Sequence, residues 1–427
     1  MVDGTQIEEA TKLLNALLGV EARKPGSAAK LPAAIRVIEH LEPAGGKDFP
    51  VFPTSYAGDR DKPVYDLSGV EYGETSETIH NKDRESVIRP IVRAKLCTLD
   101  SPQSQANRME PAFAEDEALQ TLVPQDTVTI PRASDKNGSE HVLRLPHRIA
   151  DFRVRLSDKK QDVKKAISDF AAGNALGLLR LMPTSVLFGF WDSRGDQAKH
   201  ARILLARIDA FDVVPCQRHA VYNGPYSQDE FAGEVLGDPS RKDQKTDTKK
   251  MAEQGYTNAL SDGLGGVLVQ GRIERLALLS LTDIARVRCL SDDGKVDVKL
   301  TNAARRYLFA LAGLAEGYPR STGSHRLRSG CELVPAEKDG LKVDLRGGDP
   351  SYPDAEELTA LFVNRELLVK IADGAKTTLG VRADPQTFNV TKDDLRSDFT
   401  GSASDSSPAA SSAPAASTPG KGRTKKS

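Results

Sequence analysis

Apolar positions recur at helical spacing over residues 7–18, IEEATKLLNALL, and Lys24-Pro25-Gly26-Ser27 then breaks the pattern. The spacing predicts a helical extension over residues 1–32. Residues 34–41, AIRVIEHL, alternate in part and stop at Pro43 and Gly45-Gly46, which predicts a first strand. From Phe49 to Thr78 the chain is rich in Pro, Gly, Tyr and Asp, as suits a long surface loop with aromatic anchors. Residues 88–99 predict a strand that turns at Asp100-Ser101-Pro102 into a helix over SQANRMEPAFAEDEAL. Residues 127–156 predict strands around a polar tip at Lys136-Asn137-Gly138. An amphipathic helix is expected over 162–181, ended by Pro183, then SVLFGFW as a fully buried strand with ARILLARIDAFDV as its neighbour.

Residues 227–250, SQDEFAGEVLGDPSRKDQKTDTKK, are polar and mixed in charge, which predicts a mobile insertion. GLGGVLVQG at 263–271 leads into a further strand, a helix near 282–289, an alanine-rich helix over 301–316 and an apolar helix over 355–372. From Ser397 the chain is Ser, Ala and Pro with a basic end at Lys421, Arg423, Lys425 and Lys426. Such a segment buries too little apolar area to order itself, so residues 397–427 are expected as a disordered tail. Strands and helices alternate without the even length of repeated βαβ crossovers. The expectation is therefore one α+β domain over residues 33–396 with large insertions.

Composition narrows the function classes. Apolar residues at 39% and charged residues at 28% are the balance of a globular protein. No run of about 18 apolar residues occurs, and the acidic start MVDGTQIEEATKLL lacks the features of a signal peptide, so a cytoplasmic protein without a membrane partner is expected. Cys97, Cys216, Cys289 and Cys331 are scattered without a CxxC pair, which points to buried thiols and to no metal or cofactor. The formal net charge of -1 means that a polyanion site must come from local clustering of Lys and Arg.

Several clusters qualify. Ser104, Gln105, Asn107 and Arg108 offer hydroxyl, amide and guanidinium groups at a helix N-terminus, where free N–H groups favour anions. They serve equally as a helix cap, with Arg108 pairing with Glu110 or Asp100. His147 and Arg148 are followed by Arg153 and Arg155, which on a strand share one face opposite Phe152, Val154 and Leu156 and make a basic strip. Phe188, Phe190 and Trp191 read as core residues, and the turn beyond them presents Arg194 with Lys199 nearby. Gly263 and Gly265 lack a GxGxxG register; they suit close approach to a phosphate or a neighbouring subunit, or a tight turn. No nucleophile elbow, P-loop or paired Cys and His arrangement appears, so no catalytic residue is assigned.

DSPQSQANRMEP at 100–111, LPHRIADFRVR at 145–155 and MPTSVLFGFWDSRG at 182–195 stand in an order that resembles one family, and GLGGVLVQG and SLTDIARVR extend the likeness to roughly residues 33–335. The family is that of type I-U, now I-G, CRISPR-associated RAMP proteins, the Csb-one or Cas-seven-type backbone subunits. The resemblance implies a modified RRM-like, ferredoxin-like RAMP core whose insertions form finger-like and thumb-like projections. It implies several copies on one CRISPR guide RNA, target DNA met through that guide, and no nuclease activity of its own. The implied partners are the large subunit, a guide-processing and capping subunit and a helicase-nuclease of the interference complex. The rival readings are a RAMP-type endoribonuclease using His147 or Asp151, and an assembly protein that touches only other proteins.

Overall fold

The computed structural model describes residues 2–23, 31–58, 63–74, 77–81, 84–88, 90–131, 137–195, 197–237, 245–336, 340–348 and 355–400. Its centre is an antiparallel sheet of nine strands among the described residues: β1 (Ala34–Pro43), β2 (Leu67–Tyr72), β3 (Ile91–Asp100), β4 (Leu204–Tyr222), β5 (Ala259–Val269), β6 (Ile273–Ser280), β7 (His325–Arg328), β8 (Cys331–Pro335) and β9 (Leu341–Arg346). The spatial order is β7-β8-β1-β6-β4-β3-β2, with β9 also on β1 and β5 also on β4. Counted in chain order as β1, β4, β6 and the β8/β9 edge, the central strands lie 4-1-3-2, with a long helix between the third and fourth. This is the strand order of an RRM-like, ferredoxin-like core, and the α+β expectation holds. The crossover from β1 to β4 carries β2, β3 and a group of helices as a large insertion.

Seven helices position the candidate residues: α1 (Gly4–Leu18), α2 (Pro102–Met109), α3 (Lys160–Ala171), α4 (Leu176–Leu181), α5 (Pro183–Phe188), α6 (Val298–Ser321) and α7 (Arg365–Leu379). Helix α1 begins in a capping box, Asp3 accepting from the Gln6 N–H while the Gln6 side chain accepts from the Asp3 N–H. It buries Leu14, Leu17 and Leu18 in the main core. Helix α6 starts at Asp297, whose carboxylate accepts from the Leu300 N–H, and is nearly all buried from Ala303 to Glu316. Helix α7 packs along it.

The sheet face under the helices alternates as strands should. Val37 opposes Ala277 and belongs to the main core; four residues on, Leu41 opposes Ile273 and belongs to a second core with Cys97, Leu99, Ile208 and Ala210. Glu39 and Arg275 oppose each other between these pairs, so a charged rung separates two apolar clusters on one face.

Other expectations change. Among the described residues, 127–156 hold strands only at Thr127–Pro131 and Asn137–His141, and Lys136 of the expected tip lies outside the described residues. Beyond His141 the chain runs in short helical turns, and Phe152–Arg155 is one turn of helix because the Asp151 carboxylate accepts from the Arg153 N–H. Arg153 and Arg155 therefore do not line a strand face. SVLFGFW is mostly helix α5, with Pro183 at its first turn and Gly189 (φ +76°) at its end; only Phe190–Trp191 is strand, paired with Lys199–His200. The helix expected over 162–181 divides at Gly173 (φ +96°) into α3 and α4. The one expected over 355–372 divides at Asn364, which caps α7. Residues 49–78, expected as loop, include β2 and short strands at Ser55–Ala57 and Pro63–Tyr65.

In the expected mobile insertion, 227–237 and 245–250 are described and largely helical, with Phe231 stacked 4.7 Å from Tyr256; 238–244 lie outside the described residues. Ser397–Thr400 close a helix over Lys392–Thr400, and the rest of the expected tail, 401–427, lies outside the described residues. No described helix is long and apolar enough to cross a membrane.

Candidate nucleic-acid interface

The phrase 100–111 opens α2 at the end of β3. Ser101 caps the helix, accepting from the Ser104 N–H at 3.3 Å, and Pro102 occupies the first helical position. Asp100 is fully buried and receives Gln105 Nε2 at 2.7 Å and Arg108 Nε at 3.0 Å. Arg108 also donates to the Leu327 carbonyl at 2.7 Å, tying α2 to β7. Of the four candidates here, Gln105 lies in the interior, Arg108 is committed to Asp100 and the β7 backbone, Ser104 is half-buried and Asn107 is exposed. The pairing of Arg108 with Asp100 is thus realised, and Gln105 holds neighbours instead of meeting solvent.

From Gln105 the network runs inward. Its Oε1 accepts from Arg275 Nε at 3.0 Å, Arg275 Nη1 meets Glu316 Oε1 at 2.7 Å, and Arg320 grips the same carboxylate. Glu39 accepts from His325 at 3.1 Å beside them, its role depending on the imidazole tautomer. Burial pushes the Glu316 carboxyl up, but Arg275 and Arg320 outweigh it and hold the group below its usual range.

Arg148 is buried as well. Its φ of +54° is a strained value for a residue with a side chain. Arg148 Nε donates to Glu110 at 2.7 Å, and its guanidinium lies over the Phe188 ring at 5.3 Å. Burial keeps the Glu110 carboxyl above its usual value despite that partner. A surface contact by Arg148 is therefore not available; the residue fixes the LPHRIAD turns against α5. Arg153 chelates Asp151 and reaches Glu140, so Asp151, the carboxylate alternative to His147 in the endoribonuclease reading, is buried under its own arginine.

The remaining candidates converge. His147, Arg155 and Arg194 line one cleft of about 850 Å³ with Phe152, Trp191, Asp192 and, from the C-terminal helix, Leu395, Arg396, Asp398 and Phe399. Local structure explains the convergence. The Asp151-capped turn aims Arg155 outward, while Asp192 accepts from the Gly195 N–H at 3.0 Å and closes the tight turn that carries Arg194. Lys199 pairs across from Trp191 and holds its ammonium 5.9 Å from the ring centroid. Among the described residues neither Arg155 nor Arg194 has an ion-pair partner. Trp191 is 64% exposed and Phe152 45%, whereas Phe188 and Phe190 are buried as the sequence predicts. Trp191 thus leaves the core role assigned to it. In a strand of two residues, alternation sends Phe190 inward and Trp191 outward, and the adjoining polar turn DSRG is the signal for it.

Gly263 and Gly265 lie inside β5, away from the cleft. A Cβ on Gly265 would come within 2.7 Å of the Gln217 backbone at the bulge in β4, while one on Gly263 would meet nothing within 4 Å. The close approach at Gly265 is to the chain itself. Among the described residues no three of His, Cys, Asp and Glu converge as metal ligands would. Burial pushes the Cys97 and Cys289 thiols up to about 12 and the Cys331 thiol to about 11.

The segment from β1 through the first half of β4 contains the phrase 100–111, the LPHRIAD turns and the cleft's Trp191 and Arg194. No curated protein matches the chain. Residues 35–215, which span that segment, match the model of a family described as CRISPR-associated protein GSU0053, and this similarity supports a CRISPR-associated role for the chain.

Proposed function

We propose that the protein is a non-catalytic guide-RNA-binding backbone subunit of a type I CRISPR interference complex. Several copies would lie side by side along one guide in the cytoplasm and present it to target DNA. The observation that supports this most is the cleft, where Arg155 and Arg194, without acidic partners among the described residues, stand beside His147 and exposed aromatic rings. Cations of this kind bind phosphates whatever the base sequence, and sequence reading is left to base pairing. The large subunit, the guide-processing and capping subunit and a helicase-nuclease are the partners such a role requires. A guide held in an extended form by many weak contacts also loses less entropy when it pairs with its target.

The test is the binding of a labelled guide-length RNA by the full chain, read by fluorescence anisotropy at two salt concentrations. The Arg155→Ala/Arg194→Ala double variant is expected to melt with the parent and to bind about 10- to 100-fold more weakly at low salt, nearly equally for guides of unrelated sequence. Binding equal to that of the parent would remove the cleft from the reading. Metal-independent cleavage of repeat RNA, abolished by His147→Ala, would replace the reading with an endoribonuclease.

A further inference from the structure

Trp191 is the chain's only tryptophan, in a sequence with 5% aromatic residues, and it stands 64% exposed. A large apolar ring so placed gains nothing from the core, and an exposed aromatic at a polar cleft lined by three arginines and two aspartates is an informative departure from the usual burial. Its position is held, not loose. Trp191 is strand-paired with Lys199, the turn that follows it is closed by Asp192, and Phe190 next to it is anchored in the core against Phe170 at 5.7 Å. The ammonium of Lys199 lies over the ring, 5.9 Å from its centroid, and Trp191 is also among the residues that line the cleft. Phe152 offers a second exposed ring in the same cleft, and Arg155 and Arg194 supply the charge.

We propose that Trp191 is a stacking platform for an unpaired RNA base, with Arg155 and Arg194 taking the phosphates on its two sides. This rests on the guide-RNA reading above and makes it more specific. An indole face accepts any base, so the site is tolerant of sequence, and it requires a base free of its duplex partner, so it distinguishes single-stranded from double-stranded RNA. A cleft of about 850 Å³ has room for a nucleotide, whereas a duplex meets it only through its outer phosphates.

A single tryptophan makes the test direct, because intrinsic emission reports one residue. Oligoadenylate, a blunt RNA duplex of equal length and inorganic polyphosphate are each titrated into the full chain, with binding followed independently by anisotropy of labelled ligand or by its displacement. Oligoadenylate is expected to quench Trp191 emission in step with binding, while duplex and polyphosphate bind without quenching. Trp191→Leu should bind oligoadenylate about tenfold more weakly with duplex affinity unchanged, and Trp191→Phe, which keeps a ring, should lose only a few-fold. RNA binding with no change in emission, or equal quenching by the duplex, overturns the stacking role and leaves the guide-RNA reading standing. No binding of oligoadenylate at all overturns both.

Discussion

Arg108 joins two elements through a carboxylate that has no solvent to fall back on. Asp100 is fully buried, and with Arg108 gone it keeps Gln105 at 2.7 Å and a more distant Arg328 at 3.7 Å. Arg108→Ala is therefore expected to cost about 1–3 kcal/mol of stability, read from the urea midpoint, while the folded protein binds RNA with an unchanged salt dependence. A stable variant with weakened, less salt-sensitive binding would make Arg108 an RNA contact after all. Glu316 gives the pH counterpart. Its folded pKa lies below the unfolded value, so its stabilisation is present above about pH 4.5 and is lost as pH falls through the folded value. Glu316→Gln leaves the buried Arg275 with Glu39, at 3.7 Å, as its remaining carboxylate and should cost about 2–4 kcal/mol at pH 7. The gap from the parent should narrow in acid, where Glu316 of the parent is neutral too; a gap that is constant from pH 7 to pH 3 would contradict the ion-pair account.

Among the elements, the β4–β5 pairing shows how two glycines in one phrase differ. Gly265 sits against the bulge of β4 with no room for a methyl group, whereas Gly263 faces open space. Gly265→Ala should destabilise by about 1–3 kcal/mol, and Gly263→Ala should be neutral or slightly stabilising, since an open strand position gains from reduced unfolded-state freedom. Thermal melting of both variants checks this, and equal effects would remove the steric argument. The regular strands were legible because one-sided burial leaves period-two alternation, as β1 and β6 retain. Helix α5 was not, because every one of its residues is buried and an all-apolar run carries no period. The turn at Phe152–Arg155 was missed because the Asp151 cap overrides an alternating pattern. The Glu39, Arg275 and Glu316 cluster was invisible for another reason: its members come from three distant segments, and no local spacing unites them. Within the cleft, His147, Arg155 and Arg194 were readable as polar candidates, Arg155 on an expected strand face and Arg194 in a turn, while the direction of Trp191 depends on a two-residue strand.

For the molecule as a whole, a net charge of -1 leaves no general attraction for a polyanion, so binding should follow the few cations of the cleft. If Arg155, Arg194 and Lys199 each neutralise one phosphate, log K should fall with log salt at a slope of about -2 per protomer, and at about -0.7 once both arginines are removed. A slope several times steeper, measured by anisotropy between 50 and 200 mM salt, would require other basic surfaces. The 4-1-3-2 strand order has a further consequence, for synthesis. β1 is complete at residue 43, but its neighbour β6 begins only at residue 273 and its other edge at 331. At about 5–20 residues per second, roughly 10–50 s separate the making of a strand from the arrival of its first partner. Throughout that interval Ile35, Val37 and Leu41 and both backbone edges of β1 lack their final cover, which is the condition under which strands pair with the wrong chain. The nascent protein thus has its greatest need of a chaperone early and is released from it late, and a fragment ending near residue 215 is expected to be insoluble even though it holds the whole of the CRISPR-associated match.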